Sequence, residues 1–127
     1  MENRFLLDTN IIIYYFNGIV LENEIDDILR NDFNISIITK IEFLSWQKLL
    51  KDDTLYKKAK EFISYATIYD LNEVIADQTI KIRQQYKIKI PDAIIGATAL
   101  TYGLDIVTNN VKDFSSLDLS IKTVELA

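Results

Sequence analysis

An α/β fold, with helices on both faces of a mostly parallel central sheet, follows from three features of this 127-residue sequence. Short apolar runs recur along it, and each leads into a stretch of helical periodicity, the alternation that builds βαβ units. Helix-opening residues stand at the junctions. The composition, 49% hydrophobic with only 3 Gly and 1 Pro, excludes disordered, collagen-like and loop-rich scaffolds. Successive parallel strands joined through helices require right-handed crossovers, which places helices on both faces and gives three layers, α/β/α. The length suits one domain spanning residues 1–127.

The elements follow in order. Phe5-Leu6-Leu7 is a short buried strand, and Asp8-Thr9-Asn10 supplies capping residues before the helical run 11–16. Leu21, Ile25, Ile28 and Leu29 fall at helical spacing with acids opposite, which predicts a second helix over 21–29. Ile35 to Ile38 is a β-branched strand. Thr39-Lys40-Ile41-Glu42 has capping-box form and opens a helix to about Lys51. Leu55, Ala59, Phe62, Ile63 and Ala66 predict a helix from Thr54, then a strand over 67–71 and a long helix over 72–87. Pro91 suits a first helical turn, and the small-residue helix from Ala93 to Tyr102 stops at Gly103. Asp105 to Thr108 is a strand, 109–114 a turn or short helical loop, and 121–124 a closing strand.

Composition also bounds the chemistry. There is no Cys, which excludes disulfides, thiolate nucleophiles and Cys-based zinc sites. There is no His either, which removes Ser-His-Asp and Cys-His systems and leaves carboxylates and a metal to activate water. The net charge of −5 argues against a nonspecific nucleic-acid coat, while a local basic patch stays compatible with it. A start without a basic region and long apolar stretch, and the lack of any run of about 18 apolar residues, lead to the expectation of a cytoplasmic protein.

The most informative pattern is acidic. Asp8, Glu42, Asp92 and Asp113 each stand where an apolar run ends and a helix or turn begins. Singly, each has an ordinary explanation as a cap, a capping-box partner of Thr39 or a turn residue. Jointly they mark one edge, because ligands in open α/β sheets bind outside the carboxyl ends of the strands. Carboxylates about 4 Å apart repel by roughly 4 kcal/mol per pair at an effective dielectric near 20, so such a cluster calls for protonation or a divalent cation.

The segments Leu6-Leu7-Asp8-Thr9-Asn10, Thr39-Lys40-Ile41-Glu42, Pro91-Asp92-Ala93-Ile94-Ile95-Gly96-Ala97-Thr98-Ala99 and Val107-Thr108-Asn109-Asn110-Val111-Lys112-Asp113-Phe114 resemble the four acidic motifs of PIN-domain nucleases. Within that family the sequence is most similar to the VapC-type toxins of type II (VapBC) toxin–antitoxin systems. The resemblance spans nearly the whole chain. It implies a PIN-like fold and an Mg²⁺- or Mn²⁺-dependent endoribonuclease in which metal-activated water cuts RNA. Asp8, Glu42, Asp92 and Asp113 are then catalytic. Asp8 and Asp92 are the chief metal ligands, with Asp113 as a further one, and Glu42 helps to orient or deprotonate the water. Thr9, Asn10, Thr108 and Asn110 support the pocket. Relatives place the fourth acid at the position of Asn110 or of Asp113, and many carry a basic residue where this chain has Asn109. The family also implies a homodimer and a cognate antitoxin whose tail covers the groove near the first two helices.

Lys40, Arg83, Lys87 and Lys89, with Lys48 and Lys81, are candidates to lead an RNA backbone to the pocket or to form solvated helix faces. Tyr14, Tyr15, Phe16, Phe43 and Trp46 are assigned to core or partner-facing surface by their helical spacing. Two other classes compete with the nuclease. A receiver-like phosphoacceptor domain wants an acidic pair after its first strand and a late-strand Lys, where this chain has Asp8-Thr9-Asn10 and Thr108-Asn109-Asn110. A catalytically silent PIN-fold binding protein has no need of the intact acidic set.

Overall fold

A computed structural model describes residues 4–21 and 25–127 of the chain. Its elements run β1 (Phe5–Leu7), α1 (Thr9–Phe16), α2 (Asp26–Asn31), β2 (Asn34–Ser36), α3 (Ile37–Leu44), α4 (Gln47–Leu50), α5 (Asp53–Ser64), β3 (Thr67–Tyr69), α6 (Glu73–Gln85), α7 (Ile90–Tyr102), β4 (Asp105–Val107), α8 (Val111–Phe114) and β5 (Ile121–Lys122). The α/β alternation expected from the sequence is present throughout. The first turn of the helix predicted over 21–29 falls partly on residues 22–24, outside the described residues; α2 begins at Asp26.

Several boundaries move for physical reasons. Ser36 caps α3 by accepting the Ile38 N–H at 3.0 Å, so the helix starts at Ile37 and the strand is cut to three residues. The Thr39–Glu42 capping box therefore does not form: Thr39 lies inside the helix, not at its cap. The helix expected to continue to Lys51 breaks at Ser45 and Trp46 into α3 and α4. Asp52 and Asn72 cap α5 and α6 by accepting the Leu55 and Ile75 N–H groups. Gly103 ends α7 at φ 66°, a left-handed conformation that glycine adopts without a Cβ penalty.

The three strand pairs among the described residues are parallel. β1, β4 and β5 form one sheet in the order β1-β4-β5, and β2 pairs with β3 in a second piece. Side chains join the two pieces where backbone pairing is absent. Asn34 donates from Nδ2 to the Phe5 carbonyl at 2.9 Å, and Asp32 accepts the Phe5 N–H at 2.7 Å and the Asn34 amide at 2.6 Å. Arg4 completes this clamp through a pair of bonds to Asp32 at 3.0 and 3.2 Å.

The strand period of two divides the core between the faces of the sheet. Leu6 and Ile106 pack with Ile75, Ile82, Ile95 and Phe114 beneath α6 and α7, whereas Leu7 and Val107 pack with Ile11, Ile12, Ile35 and Phe43 on the opposite side. Helix α7 is buried from Ala93 through Ala99, and its small residues admit close neighbours. A Cβ on Gly96 would stand 2.6 Å from Leu117 Cδ1. Aromatic contacts among Tyr15, Phe16, Phe33, Phe43 and Phe62 fill the other layer, in line with a core role for Phe16 and Phe43. No helix among the described residues is long and apolar enough to cross a membrane.

Candidate active site

The site begins at the last pair of the β1–β4 ladder. Leu7 pairs with Val107, and the Asp8 N–H continues the ladder by donating to the Val107 carbonyl at 2.9 Å, which sets Asp8 beside Thr108. Thr108 in turn donates its N–H to Lys122 of β5 at 2.9 Å. The two residues, one hundred positions apart in sequence, close this register with a side-chain bond from the Thr108 hydroxyl to Asp8 Oδ2 at 2.8 Å. Asp8 Oδ1 accepts the Thr9 N–H at 2.8 Å, so the carboxylate also caps α1. Its position is over-determined, and only 3% of the residue is exposed.

A cleft of about 330 Å³ opens from this carboxylate and is lined by Asp8, Thr9, Asn10, Ile13, Glu42, Lys89, Pro91, Asp92 and Asn110. Glu42 reaches it from α3. Although Glu42 is exposed overall, its Oε1 accepts the Thr9 hydroxyl at 2.6 Å. Asp92 stands half-buried in the first turn of α7, where unpaired N–H groups and the helix dipole favour negative charge. Lys89, the residue before that helix, is the one cation among the described residues of the lining.

Acidic charge in the cleft exceeds what the protein offsets. Burial raises the Asp8 carboxyl from 3.8 to about 6; the Thr108 hydroxyl and Thr9 N–H pull it down, and Asp92 and Glu42 push it up again. Asp92 is raised too, first by burial, then by the charges of Asp113 and Glu42, with Lys89 opposing. The donor set consists of carboxylate, hydroxyl and amide oxygens in a chain without His or Cys. That chemistry fits a hard divalent cation.

The structure brings Asp8, Glu42 and Asp92 to one cleft, and leaves Asp113 exposed on α8, outside the lining. Asp113 still acts on Asp92 through its charge. Asn110, not Asp113, occupies the cleft wall. Among the described residues, no three acidic side chains stand close enough to hold an ion by themselves. Mg²⁺ takes one or two carboxylates and fills its remaining positions with water and phosphate oxygens, so it does not require three acidic side chains in contact.

The basic candidates divide. Lys89 is in the cleft. Arg83 donates from Nε to the Ile88 carbonyl at 3.1 Å and so ties down the connection between α6 and α7. Lys48 binds Asn17 Oδ1 at 2.7 Å and lies over the Trp46 ring. Lys40, half-buried on α3, and Lys81 and Lys87, both exposed, do not line the cleft.

Two residues take roles other than those their sequence context gave them, Thr39 as a helix cap and Asn109 as a turn amide. Thr39, fully buried, brings its hydroxyl to 3.0 Å from that of Thr9. Asn109 accepts the Val124 N–H at 2.9 Å and donates to the Val124 carbonyl at 3.0 Å. It thus fastens the C-terminal segment beside the site. Asn reads as an ordinary turn residue in such a position, and no local signal distinguishes this use.

Another concavity, of about 710 Å³, lies between α1, α2 and α5 and is lined by Tyr15, Asp26, Leu29, Arg30, Phe33, Phe62 and Tyr65. It is larger than the acidic cleft but gathers no set of carboxylates. The carboxylates gather in the smaller cleft.

The family model that matches the chain is the PIN domain, over residues 5–119. No curated protein matches it. Among solved structures, a toxin–antitoxin complex from Klebsiella pneumoniae contains a chain 33% identical, with a TM-score of 0.73 and coverage of 89% of this chain and 92% of that one. DNA-bound VapBC from Salmonella typhimurium matches at 25% identity, TM-score 0.80, with coverage of 96% and 98%. VapBC2 from Rickettsia felis, bound to a promoter DNA fragment, shares the fold at 21% identity and TM-score 0.78, with coverage of 95% and 98%. The motifs, the parallel strand order and the family match agree, and the chain belongs to the PIN-domain family.

Proposed function

We propose that this chain is a divalent-metal-dependent endoribonuclease that acts as the toxin of a type II toxin–antitoxin pair. The observation that carries the reading is the cleft in which Asp8, Glu42 and Asp92, from three elements distant in sequence, meet with one cation among the lining residues. The likeness to a chain in a toxin–antitoxin complex supports the toxin assignment. Asp8 and Asp92 would hold Mg²⁺ or Mn²⁺, with Asp113 contributing charge from outside the lining. Bound there, the ion would supply a Lewis acid that lowers the pKa of water and offsets charge developing on the scissile phosphate.

The chain's own residues do the remaining work. Thr108 and the Thr9 N–H hold the Asp8 carboxylate in one orientation. Glu42, steered by the Thr9 hydroxyl, accepts the proton of the attacking water, a task that falls to a carboxylate in a chain without His. Lys89 draws the phosphate towards the cleft, and Asn10 and Asn110, which line it, would donate their amides to it. The aromatic groove between α1, α2 and α5 is the surface an antitoxin tail would cover. A basic residue of that tail entering the acidic cleft would compete with the cation. The active form in this reading is a homodimer in the cytoplasm.

The test is cleavage of a structured RNA by the purified chain. Cutting is expected with Mg²⁺ or Mn²⁺, to stop with chelator, and to fall at least about a hundredfold in Asp8→Ala and Asp92→Ala, the scale seen when a charge-stabilising group is removed from an active site. Circular dichroism confirms that the variants are folded. Retained cleavage in both variants refutes the reading.

A further inference from the structure

We propose that Thr39 is a positioning residue that acts through the Thr9 hydroxyl to fix the carboxylate of Glu42 at the cleft. The inference rests on the reading of Glu42 as a proton acceptor and assigns to a buried helical residue a task outside the four acidic positions.

The hydroxyl of Thr9 stands 2.6 Å from Glu42 Oε1 and 3.0 Å from Thr39 Oγ1. A hydroxyl has one proton and two lone pairs, and an ionised carboxylate only accepts. The Thr9 proton therefore goes to Glu42, and the Thr39 proton goes to Thr9. The result is a directed chain, Thr39 to Thr9 to Glu42, linking α3 to α1 and returning to α3.

Two further observations set Thr39 apart. Two other buried helical threonines spend their hydroxyls on their own helices, Thr79 on the Ile75 carbonyl at 2.7 Å and Thr98 on the Ile94 carbonyl at 2.8 Å. Thr39 has no helical carbonyl at that offset, because Ile35 is still in β2. Nor does Thr39 cap α3, since Ser36 does so. A hydroxyl with 0% exposure and neither ordinary use is committed to Thr9. Glu42 is otherwise exposed, and a long side chain on a surface samples many rotamers. Filling a lone pair of Thr9 restrains the rotation of its hydroxyl and keeps its proton aimed at the carboxylate, and short charge-assisted bonds of this kind are the stronger ones.

The experiment compares wild type with Thr39→Val, which keeps the shape and removes the hydroxyl, and Thr39→Ser, which restores it. With Mg²⁺ and RNA, kcat of Thr39→Val falls about tenfold, the scale of one hydrogen bond expressed in a barrier, with KM within about twofold. Thr39→Ser returns to near the wild-type rate. In a Glu42→Gln background, Thr39→Val causes no further loss, because both act at one point. Wild-type kcat in Thr39→Val, or an undiminished additional loss in the Glu42→Gln background, overturns the proposal. A second readout needs no RNA: ¹³C relaxation of the Glu42 methylenes reports an ordered side chain in wild type and a mobile one in Thr39→Val. Equal mobility in the two overturns the proposal as well. Failure of wild type to cleave RNA overturns the nuclease reading instead, while the relaxation comparison still decides what Thr39 does.

Discussion

Replacing Asp8 by Asn makes the metal-free protein more stable near neutral pH and less active. The buried carboxyl is raised from 3.8 to about 6, burial being the first cause, and a rise of that size corresponds to about 3 kcal/mol of differential interaction between its two protonation states. Because the folded value lies above the unfolded one, the unfolded chain gives up this proton first. Native stability therefore falls as pH rises from about 4 to about 6, and the full penalty persists above that window. An amide removes the charge and keeps the shape. Its Oδ1 still accepts the Thr9 N–H, but its NH₂ group faces the Thr108 oxygen, which already accepts the Asn110 N–H at 3.0 Å. Thr108 must turn its own proton away, a loss of about 1 kcal/mol. The net gain is about 2 kcal/mol at pH 7.5, or roughly 5–10 °C in Tm for a domain of this size. Thermal unfolding in chelator at pH 4, 5, 6 and 7.5 measures it. The advantage shrinks as the pH falls and reverses near pH 4, where Asp8 is protonated in the folded state and about half protonated in the unfolded one. Manganese should raise the Tm of the wild type more than that of the variant. A variant no more stable than wild type at pH 7.5, or a difference that is constant across the range, refutes the account of trapped negative charge.

Asp32 provides the opposite sign. Burial opposes its ionisation, but the Phe5 N–H, the Asn34 amide and Arg4 together hold its carboxyl below the usual range, so its contribution is present above the unfolded value and is lost as pH falls through the folded one. Asp32→Ala should cost about 1–3 kcal/mol in urea denaturation at pH 7 by leaving the Phe5 N–H unpaired, with the difference fading under strong acid. Gly103→Ala should cost about 1–2 kcal/mol, because φ of 66° places a Cβ in the left-handed region; an unchanged midpoint would show that the end of α7 adjusts freely.

Local signals were read where local physics decides. The capping geometry of Asp8 and Gly103 depends on residues within one turn, and the structure uses each as expected. The same holds for the alternation of apolar runs with helical patterns, since strand and helix periods are properties of the segment itself. The α3 boundary is instructive. Ser36 and Thr39 are both competent N-caps, three residues apart, and choosing Ser36 commits Thr39 to the helix interior.

That choice is made by what the strand must pair with, since β2 ends where its ladder with β3 ends, at Ser36 opposite Tyr69. The sequence by itself determined the α/β class, the small-residue helix α7 and the acids at the ends of successive units. Only the tertiary structure decided that Asn110 enters the cleft while Asp113 stays outside it, that Asn109 holds Val124, and that the hydroxyls of Thr108, Thr9 and Thr39 are spent on the site. The reason is range. Caps and periods arise from neighbours within a turn or two, whereas the donors and acceptors around Asp8 and Glu42 come from positions 30 to 100 residues away and meet only when parallel strands align their carboxyl ends.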